Sequence, residues 1–290
     1  QARKNKRNTV NQLKFELEQE HFLYQLAENI YQRTYTPRPS IAFIIRKPVV
    51  REIFAADFSD RIIHHLLYRC IYPIIDNKLI HDTYSCREGK GTLYGINRIK
   101  KFIRSCSDNY HRETYILKLD IEAYFMNMKH QIIYDKVLAM LSPEKSSYLG
   151  ISKETICYLL QQTIFNSVKE NYHIKGSHND WKELPPTKSL FYYPNDTGLP
   201  IGNLTSQVFG NVYMNDFDQY VKKELKIYGK AFFNTLNESF SSLYNFIPLS
   251  EEEIDYHIKQ NLSFANKELV NLLVDENEAL VGFSFCLPSL

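Results

Sequence analysis

Two short segments, about eighty residues apart, constrain this chain more than anything else in it. Tyr115-Ile-Leu-Lys-Leu-Asp120 is an apolar run of strand length closed by a carboxylate, and Gly198-Leu-Pro-Ile-Gly202 is a loop whose glycines let backbone come close to a partner. Each has an ordinary reading. A strand-end Asp is often a turn or helix cap, and a Gly and Pro loop precedes many helices. The two in this order, with a basic region upstream, are much harder to obtain by chance.

The charge is divided along the chain. Residues 1 to 229 hold 32 Lys and Arg against 24 Asp and Glu, whereas residues 230 to 290 hold 3 against 9. The first balance suits a polyanion and the second does not. With 44% hydrophobic and 23% charged residues the chain is expected to be globular. Cys70, Cys86, Cys106, Cys157 and Cys286 are widely spaced and form no CxxC pair, so neither a disulfide framework nor a zinc site is expected, and a reducing cytoplasm is the simplest home. No apolar run is long enough to span a bilayer and no signal peptide is recognised, so no membrane is expected among the partners. The opening Gln1 suggests a fragment.

Periodicity predicts an α+β chain. Residues 11 to 32 read as a helix with apolar Leu13, Leu17, Leu23, Leu26, Ala27 and Ile30, ended by Thr36-Pro-Arg-Pro39. Strands are expected at Ile41 to Arg46 and Val49 to Phe54, then a helix from Arg61 to Ile75 with Ile62, Leu66, Leu67 and Ile71 inside. Gly89-Lys-Gly91 reads as a turn before a basic helix, Thr92 to Ser105, and further helices are expected at Lys129 to Leu141, Thr155 to Asn166 and Leu204 to Lys226. The last should bury Val208, Val212, Phe217 and Val221. Residues 167 to 197, polar and broken by Pro185-Pro186 and Pro194, read as a long surface insertion. His64 and His65 head a buried helix and are expected to be structural.

Residues 1 to 229 resemble a bacterial reverse transcriptase, specifically the enzymes of diversity-generating retroelements. The resemblance runs through Arg51-Glu-Ile-Phe-Ala-Ala-Asp-Phe-Ser-Asp-Arg-Ile-Ile-His-His65, Asp82-Thr-Tyr-Ser-Cys-Arg-Glu-Gly-Lys-Gly-Thr92, the Asp120 segment, Asp180-Trp-Lys182, and Gly198 to Asp216. Ile201 and Gln207, where other reverse transcriptases usually have Gln and Pro, favour this branch. The fold implied is the fingers and a partial palm of a right-hand polymerase. The resemblance makes Asp120 the catalytic carboxylate and puts magnesium, two ions in the complete family, at Asp120 and Ile121. It assigns Lys47, Arg51, Phe125, Ile201, Gly202 and Gln207 to the nucleotide, Arg51 gripping the triphosphate and the Phe125 ring excluding a 2′-hydroxyl. It places Arg87, Lys90 and Ser206 near template or nucleic acid; for the basic residues among these sites a solvated surface is the plain alternative. Template RNA, RNA–DNA hybrid and a small basic accessory variability protein are the partners implied.

The resemblance stops at Tyr228-Gly229. A hairpin bearing Tyr-x-Asp-Asp should follow, yet the chain continues Lys230-Ala-Phe-Phe-Asn-Thr-Leu and contains no Asp-Asp pair. Residues 230 to 290 are therefore expected to be an unrelated acidic α/β tail. In it, Ala231 to Leu243 reads as a helix, Ser250 caps a second opened by Glu251-Glu-Glu253, and Val270 to Asp275 with Ala279 to Phe285 read as a hairpin. This tail is similar to the start of a GNAT-type acetyltransferase but lacks the Gly-rich turn that would bind the pyrophosphate of acetyl-CoA. The expectation is a polymerase-family front half that does not synthesise DNA in this chain. The alternatives are a nucleic-acid-binding or defence protein without the chemistry, and a fragment fused to the start of an acetyltransferase.

Overall fold

The computed structural model describes residues 2–4, 9–114, 121–142, 144–241, 248–260, 270–274 and 280–285. The chain is mixed α+β and divides into two compact units, Gln1–Arg87 with Asp120–Asn215, and Glu88–Leu119 with Asp216–Leu290. The predicted strand Tyr115 to Leu119 and the carboxylate Asp120 lie outside the described residues.

The first unit opens with α1 (Val10–Leu17) and α2 (Gln19–Tyr31), where one helix was expected. The chain leaves helical geometry at Glu18, at φ −125° and ψ 40°. Of the apolar residues expected inside, Leu26 is buried and Ile30 packs against the core, whereas Leu13, Leu17 and Leu23 are exposed. β1 (Ser40–Ile45) and β2 (Arg51–Ala55) form an antiparallel hairpin pairing Ile45 with Arg51, Phe43 with Ile53 and Ile41 with Ala55. α3 (Phe58–Lys78) follows at once, with Asp57 as its N-cap accepting from the Ser59 N–H at 3.0 Å.

The buried stripe of α3 is Ile63, Leu67, Ile71 and Ile75, a strict i, i+4 row; Ile62 and Leu66 are only partly covered. Against that row pack Ile133 and Val137 of a helix at His130–Met140, Ile156, Leu160 and Ile164 of another at Lys153–Ile164, and Val208 and Val212 of a long helix beginning at Leu204. A full burial of this kind stabilises by about 1.5–3 kcal/mol per side chain relative to exposure, so this cluster is the main support of the unit. Phe217, expected on the apolar side of the long helix, is exposed, and Val221 has no described side-chain environment.

Residues 167 to 197 are part of the fold rather than a surface insertion. Tyr172–Ile174 adds a third, parallel strand to β1, pairing Ser40 with Tyr172 and Ile41 with His173. Three short 3-10 turns follow, at His178–Glu183, Pro186–Lys188 and Leu190–Tyr192. Val168, Leu184, Ser189 and Leu190 are buried. The polar composition misled because the segment covers a charged strand residue, Glu52, and uses its polar groups to satisfy it.

The second unit contains a basic helix at Thr92–Cys106 and the later part of the long helix, which runs without a break from Leu204 to Phe240. A separate helix beginning at Ala231 had been expected. Asn237 brackets Leu249, its Nδ2 donating to the carbonyl and its Oδ1 accepting from the N–H, both at 2.9 Å. This leads into a helix at Glu251–Gln260 whose Ser250 and Glu253 cap one another reciprocally. Val270–Val274 and Leu280–Phe285 pair antiparallel, within the hairpin expected over Val270 to Asp275 and Ala279 to Phe285. Among the described residues no helix is long and apolar enough to cross a membrane.

Candidate functional site

The loop Gly198–Gly202 is held from two sides. On one, the Gly198 N–H donates to the Met128 carbonyl and the Leu199 N–H to the Phe125 carbonyl, both at 2.8 Å. On the other, the Phe54 N–H of β2 donates to the Ile201 carbonyl at 3.1 Å. The buried His130 Nε2 donates to the Gly198 carbonyl at 2.7 Å, and burial pushes its pKa down. The segment that begins one residue after Asp120 is thereby bonded directly to the glycine loop.

Gly202 is required where it stands. Its φ is +126°, and a Cβ would lie 3.0 Å from Ile53 Cγ2 and 3.2 Å from the Phe54 carbonyl oxygen. Gly198, at φ +93°, would press a Cβ on Leu190 and on the Met126 carbonyl. Both positions combine a left-handed backbone with crowding, so alanine would be strained at either and at Gly202 would push β2 aside.

Alternation along β2 gives its two faces different tasks. Phe54 is wholly buried against a second cluster with Ala42, Met126, Val168 and Leu190. On the same face the Glu52 carboxylate, 1% exposed, accepts from Trp181 Nε1, Ser189 Oγ and the Leu190 N–H, each at 2.7 Å. The other face carries Arg51, Ile53 and Ala55, beside Ile41, Phe43 and Ile45 of β1 and His173 of the third strand. This side opens on a cavity of about 490 Å³ whose lining includes Phe43, Arg61, His64, Lys175, Gly202 and Asn203. A second hollow of about 440 Å³ adjoins it at Asn11, Ile41 and Lys175 and adds Arg38, Asp57 and His173. Arg38, Arg51 and Lys175 are exposed, with no ion-pair partner among the described residues. Arg61 is tied to the chain's own start, its Nε donating to the Ala2 carbonyl at 2.8 Å.

The expected site residues are distributed as follows. Arg51, Ile201, Gly202, Ser206 and Gln207 lie on β2, the loop and the first turn of the helix after it; Ser206 is buried and Gln207 exposed. Lys47 is exposed in the loop joining β1 to β2. The half-buried Phe125 ring would lie 3.3 Å from a Cβ at Gly210, and the Tyr124 hydroxyl donates to the Gly210 carbonyl at 2.7 Å. Ile121 is exposed. Arg87 is engaged internally: it donates to Asp76 Oδ1 and to the Asp76, Ile80 and Thr83 carbonyls, with its side chain 4% exposed. That is the geometry of a brace for the 76–87 loop. Lys90 belongs to the second unit, in the turn between Gly89 and Gly91.

Several residues at this place were not found from sequence. Glu52 could have been, since adjacent Arg51 and Glu52 on a strand must face opposite ways. Arg38, His173 and Lys175 gave no signal, because what recruits them is a three-residue strand inside a polar segment.

Two titrating groups lie near one another here: His64 lines the cavity, and Asp60 shares a separate small hollow with it. The half-buried His64 has Nδ1 at 2.8 Å from Thr205 Oγ1, and desolvation, then the charges of His65 and Arg61, push its pKa down to about 4, so it is neutral near pH 7. Asp60 accepts from the Tyr35 hydroxyl and the Arg38 N–H, both at 2.8 Å. Burial outweighs those bonds and raises its pKa to about 6. The Tyr35 hydroxyl is pushed up by burial and by Asp60.

Among the described residues no three His, Cys, Asp or Glu side chains gather to hold a metal ion. No family model matches the chain. The chain is similar to Protein YkfC of Escherichia coli (strain K12), 23% identical over 208 residues that cover 71% of this chain and 46% of that protein. It thus spans about half the length of that relative.

Proposed function

We infer that residues 1–229 are the fingers and part of the palm of an RNA-directed DNA polymerase of the diversity-generating retroelement type, and that these 290 residues bind template RNA and RNA–DNA hybrid without extending a primer. The observation that carries this reading is the joining of the two motifs. The loop Gly198–Gly202 is hydrogen-bonded to Phe125 and Met128, just past Asp120, and to Phe54 on the strand that begins with Arg51. A loop so held can lie flat against a base pair, with Arg51 and Lys47 supplying charge for phosphates from the fingers hairpin. The open, basic sheet face beside Gly202 gives a single strand a path with phosphate partners at Lys175 and Arg38 and an aromatic surface at Phe43.

A second reading, a nucleic-acid-binding or defence protein that keeps the polymerase shape without the chemistry, is favoured by one observation. Where the resemblance expects a Tyr-x-Asp-Asp hairpin, the helix that begins at Leu204 continues to Phe240. Nucleotidyl transfer needs carboxylates from two places, and Asp120 supplies one. In this proposal magnesium is bound at most weakly at Asp120 and Ile121, a cytoplasmic location is expected, and the accessory variability protein is a partner of the complete enzyme.

Primer extension on an RNA template, with Mg2+ or Mn2+ and all four nucleotides, tests the reading beside an Asp120→Ala control. The expected result is a retained template-primer and no extension, since loss of the metal clamp removes several orders of magnitude in rate. Template-dependent extension abolished by Asp120→Ala would contradict it.

A further inference from the structure

The basic helix Thr92–Cys106 belongs to the second unit and contributes no residue to the cavities beside Gly202. Its 15 residues include Arg98, Lys100, Lys101 and Arg104 and no acid. Gly95 is buried, and Tyr94, Arg98, Phe102, Ile103 and Cys106 are partly covered, with the Arg98 guanidinium over the Phe102 ring at 4.5 Å. That side is where the helix packs. Asn97, Lys100, Lys101 and Arg104 are spaced i, i+3, i+4 and i+7, so they share one face, and all four are exposed. The three cations in this row have no ion-pair partner among the described residues. Like charges one turn apart repel, so the row works against the helix unless an anion from outside offsets it.

We propose that this face docks on the sugar–phosphate backbone of a duplex, the RNA–DNA hybrid, with Lys100, Lys101 and Arg104 on phosphates of one strand. The proposal rests on the nucleic-acid reading above and adds to it a second surface, one for a double strand. Lys100 and Arg104 stand one turn apart, about 5–6 Å between their Cβ atoms, and Lys101 stands beside them. A rigid row of charges at that spacing fits the regular row of phosphates that a duplex presents. Asn97 extends the row and can donate to a phosphate or sugar oxygen. A single strand is gripped by stacking rings as well as by charge, and this face offers no ring, since Tyr94 and Phe102 lie on the packed side. An anionic lipid surface would need apolar side chains outermost and cations at their flanks. Here the order is reversed: the cations are outermost, Leu93 is the one apolar side chain among them, and the half-exposed Ile96 and Ile99 lie along the flank.

Fluorescence anisotropy of a blunt RNA–DNA hybrid with the full 290-residue chain, titrated with salt beside a single-stranded RNA, tests this. Lys100→Ala with Lys101→Ala and Arg104→Ala should make the hybrid's log–log slope shallower by about 2–3, at about 0.9 for each phosphate contact. The single-strand slope and the far-ultraviolet circular dichroism should not change. Lys101→Ala alone should give about a third of the effect, whereas Lys100→Arg with Lys101→Arg should keep the native slope. Lys14→Ala, an exposed cation of the first unit, should keep it too. The proposal is overturned by a hybrid slope that the triple substitution leaves unchanged, or by an equal change in the single-strand slope. It is also overturned if the triple substitution abolishes only co-sedimentation with phosphatidylglycerol vesicles. Single-stranded RNA binding that ignores Arg51→Ala and Lys175→Ala would instead count against the sheet face alone, and undetectable binding of both nucleic acids would contradict both.

Discussion

On one face of β2, Glu52 and Phe54 are closed off by the segment 167–197, and every donor that faces the carboxylate is used. On the other, Ala55 borders an open cavity beside Gly202, and Arg51, farther along the same face, is exposed with no ion-pair partner among the described residues. The two charged residues are neighbours in sequence and opposite in fate. A charge sealed with matched donors fixes the position of a strand, whereas a charge left in water remains available to a ligand. The same contrast separates two arginines that the resemblance assigned to ligands, Arg51 to the nucleotide and Arg87 to the template. Arg87 is consumed by Asp76 and three carbonyls, while Arg51 is consumed by nothing described.

The largest effect should come from the closed face. Glu52→Ala leaves the indole N–H, the Ser189 hydroxyl and the Leu190 N–H buried and unpaired, and about 3–4 kcal/mol of unfolding free energy should be lost in urea titration. A loss below about 0.5 kcal/mol would break the comparison, because Glu52 would then be no more structural than an exposed strand residue. Arg87→Ala should cost about 2 kcal/mol by removing the brace of its loop, whereas Arg51→Ala should leave stability within about 0.5 kcal/mol. Equal losses at the two arginines in the same assay would remove the distinction. Gly202→Ala, at the boundary of the two faces, should cost about 1–3 kcal/mol, through left-handed strain and displacement of β2.

The smallest effect is on pH dependence beside the open face. The pKa of His64 falls from the ordinary 6.5 to about 4 on folding, so as pH drops through that window the unfolded chain takes the proton first and stability is lost. Asp60 rises from 3.8 to about 6, so over nearly the same window the folded chain takes the proton first and stability is gained on acidification. The two oppose each other in the native protein. Relative to it, His64→Asn should gain and Asp60→Asn should lose about 1–2 kcal/mol on going from about pH 6.5 to about 4.5, read from thermal melts at both pH values. Changes of the same sign in the two variants would contradict these assignments.

The fold was legible where periodicity and burial agree. Both strands of the hairpin, the helix after them, the later helices of the first unit and the capped Ser250 helix follow from apolar spacing, Asp and Ser caps and Pro stops. The spacing was less informative where a helix has two apolar sides: with Leu13 and Leu17 outside and Phe15 inside, no single stripe of residues 10–31 could be assigned from sequence. Segment 167–197 was misread for a different reason. Its polar groups serve a charged residue more than a hundred positions away, and no local pattern carries that information. The glycine loop was recognised as a close-approach element and is one, but its hydrogen bonds to Phe125, Met128 and Phe54 depend on tertiary packing. Arg87 was expected near the template because a basic residue beside a glycine turn reads alike whether its partners are phosphates or its own loop's carbonyls.

We propose that a polyanion binds the open face of the β2 sheet, and a salt titration of RNA binding is the direct test. Fluorescence anisotropy of a labelled single-stranded RNA should give an affinity that falls linearly in log–log form as salt rises. Arg51→Ala and Lys175→Ala should each make the slope shallower by about 0.7, the contribution of one single-strand phosphate contact. Arg46→Ala should leave the slope unchanged, because Arg46 is already paired with Asp180 and Glu183. Binding that is undetectable or insensitive to salt, or a slope that neither Arg51→Ala nor Lys175→Ala alters, would contradict the account.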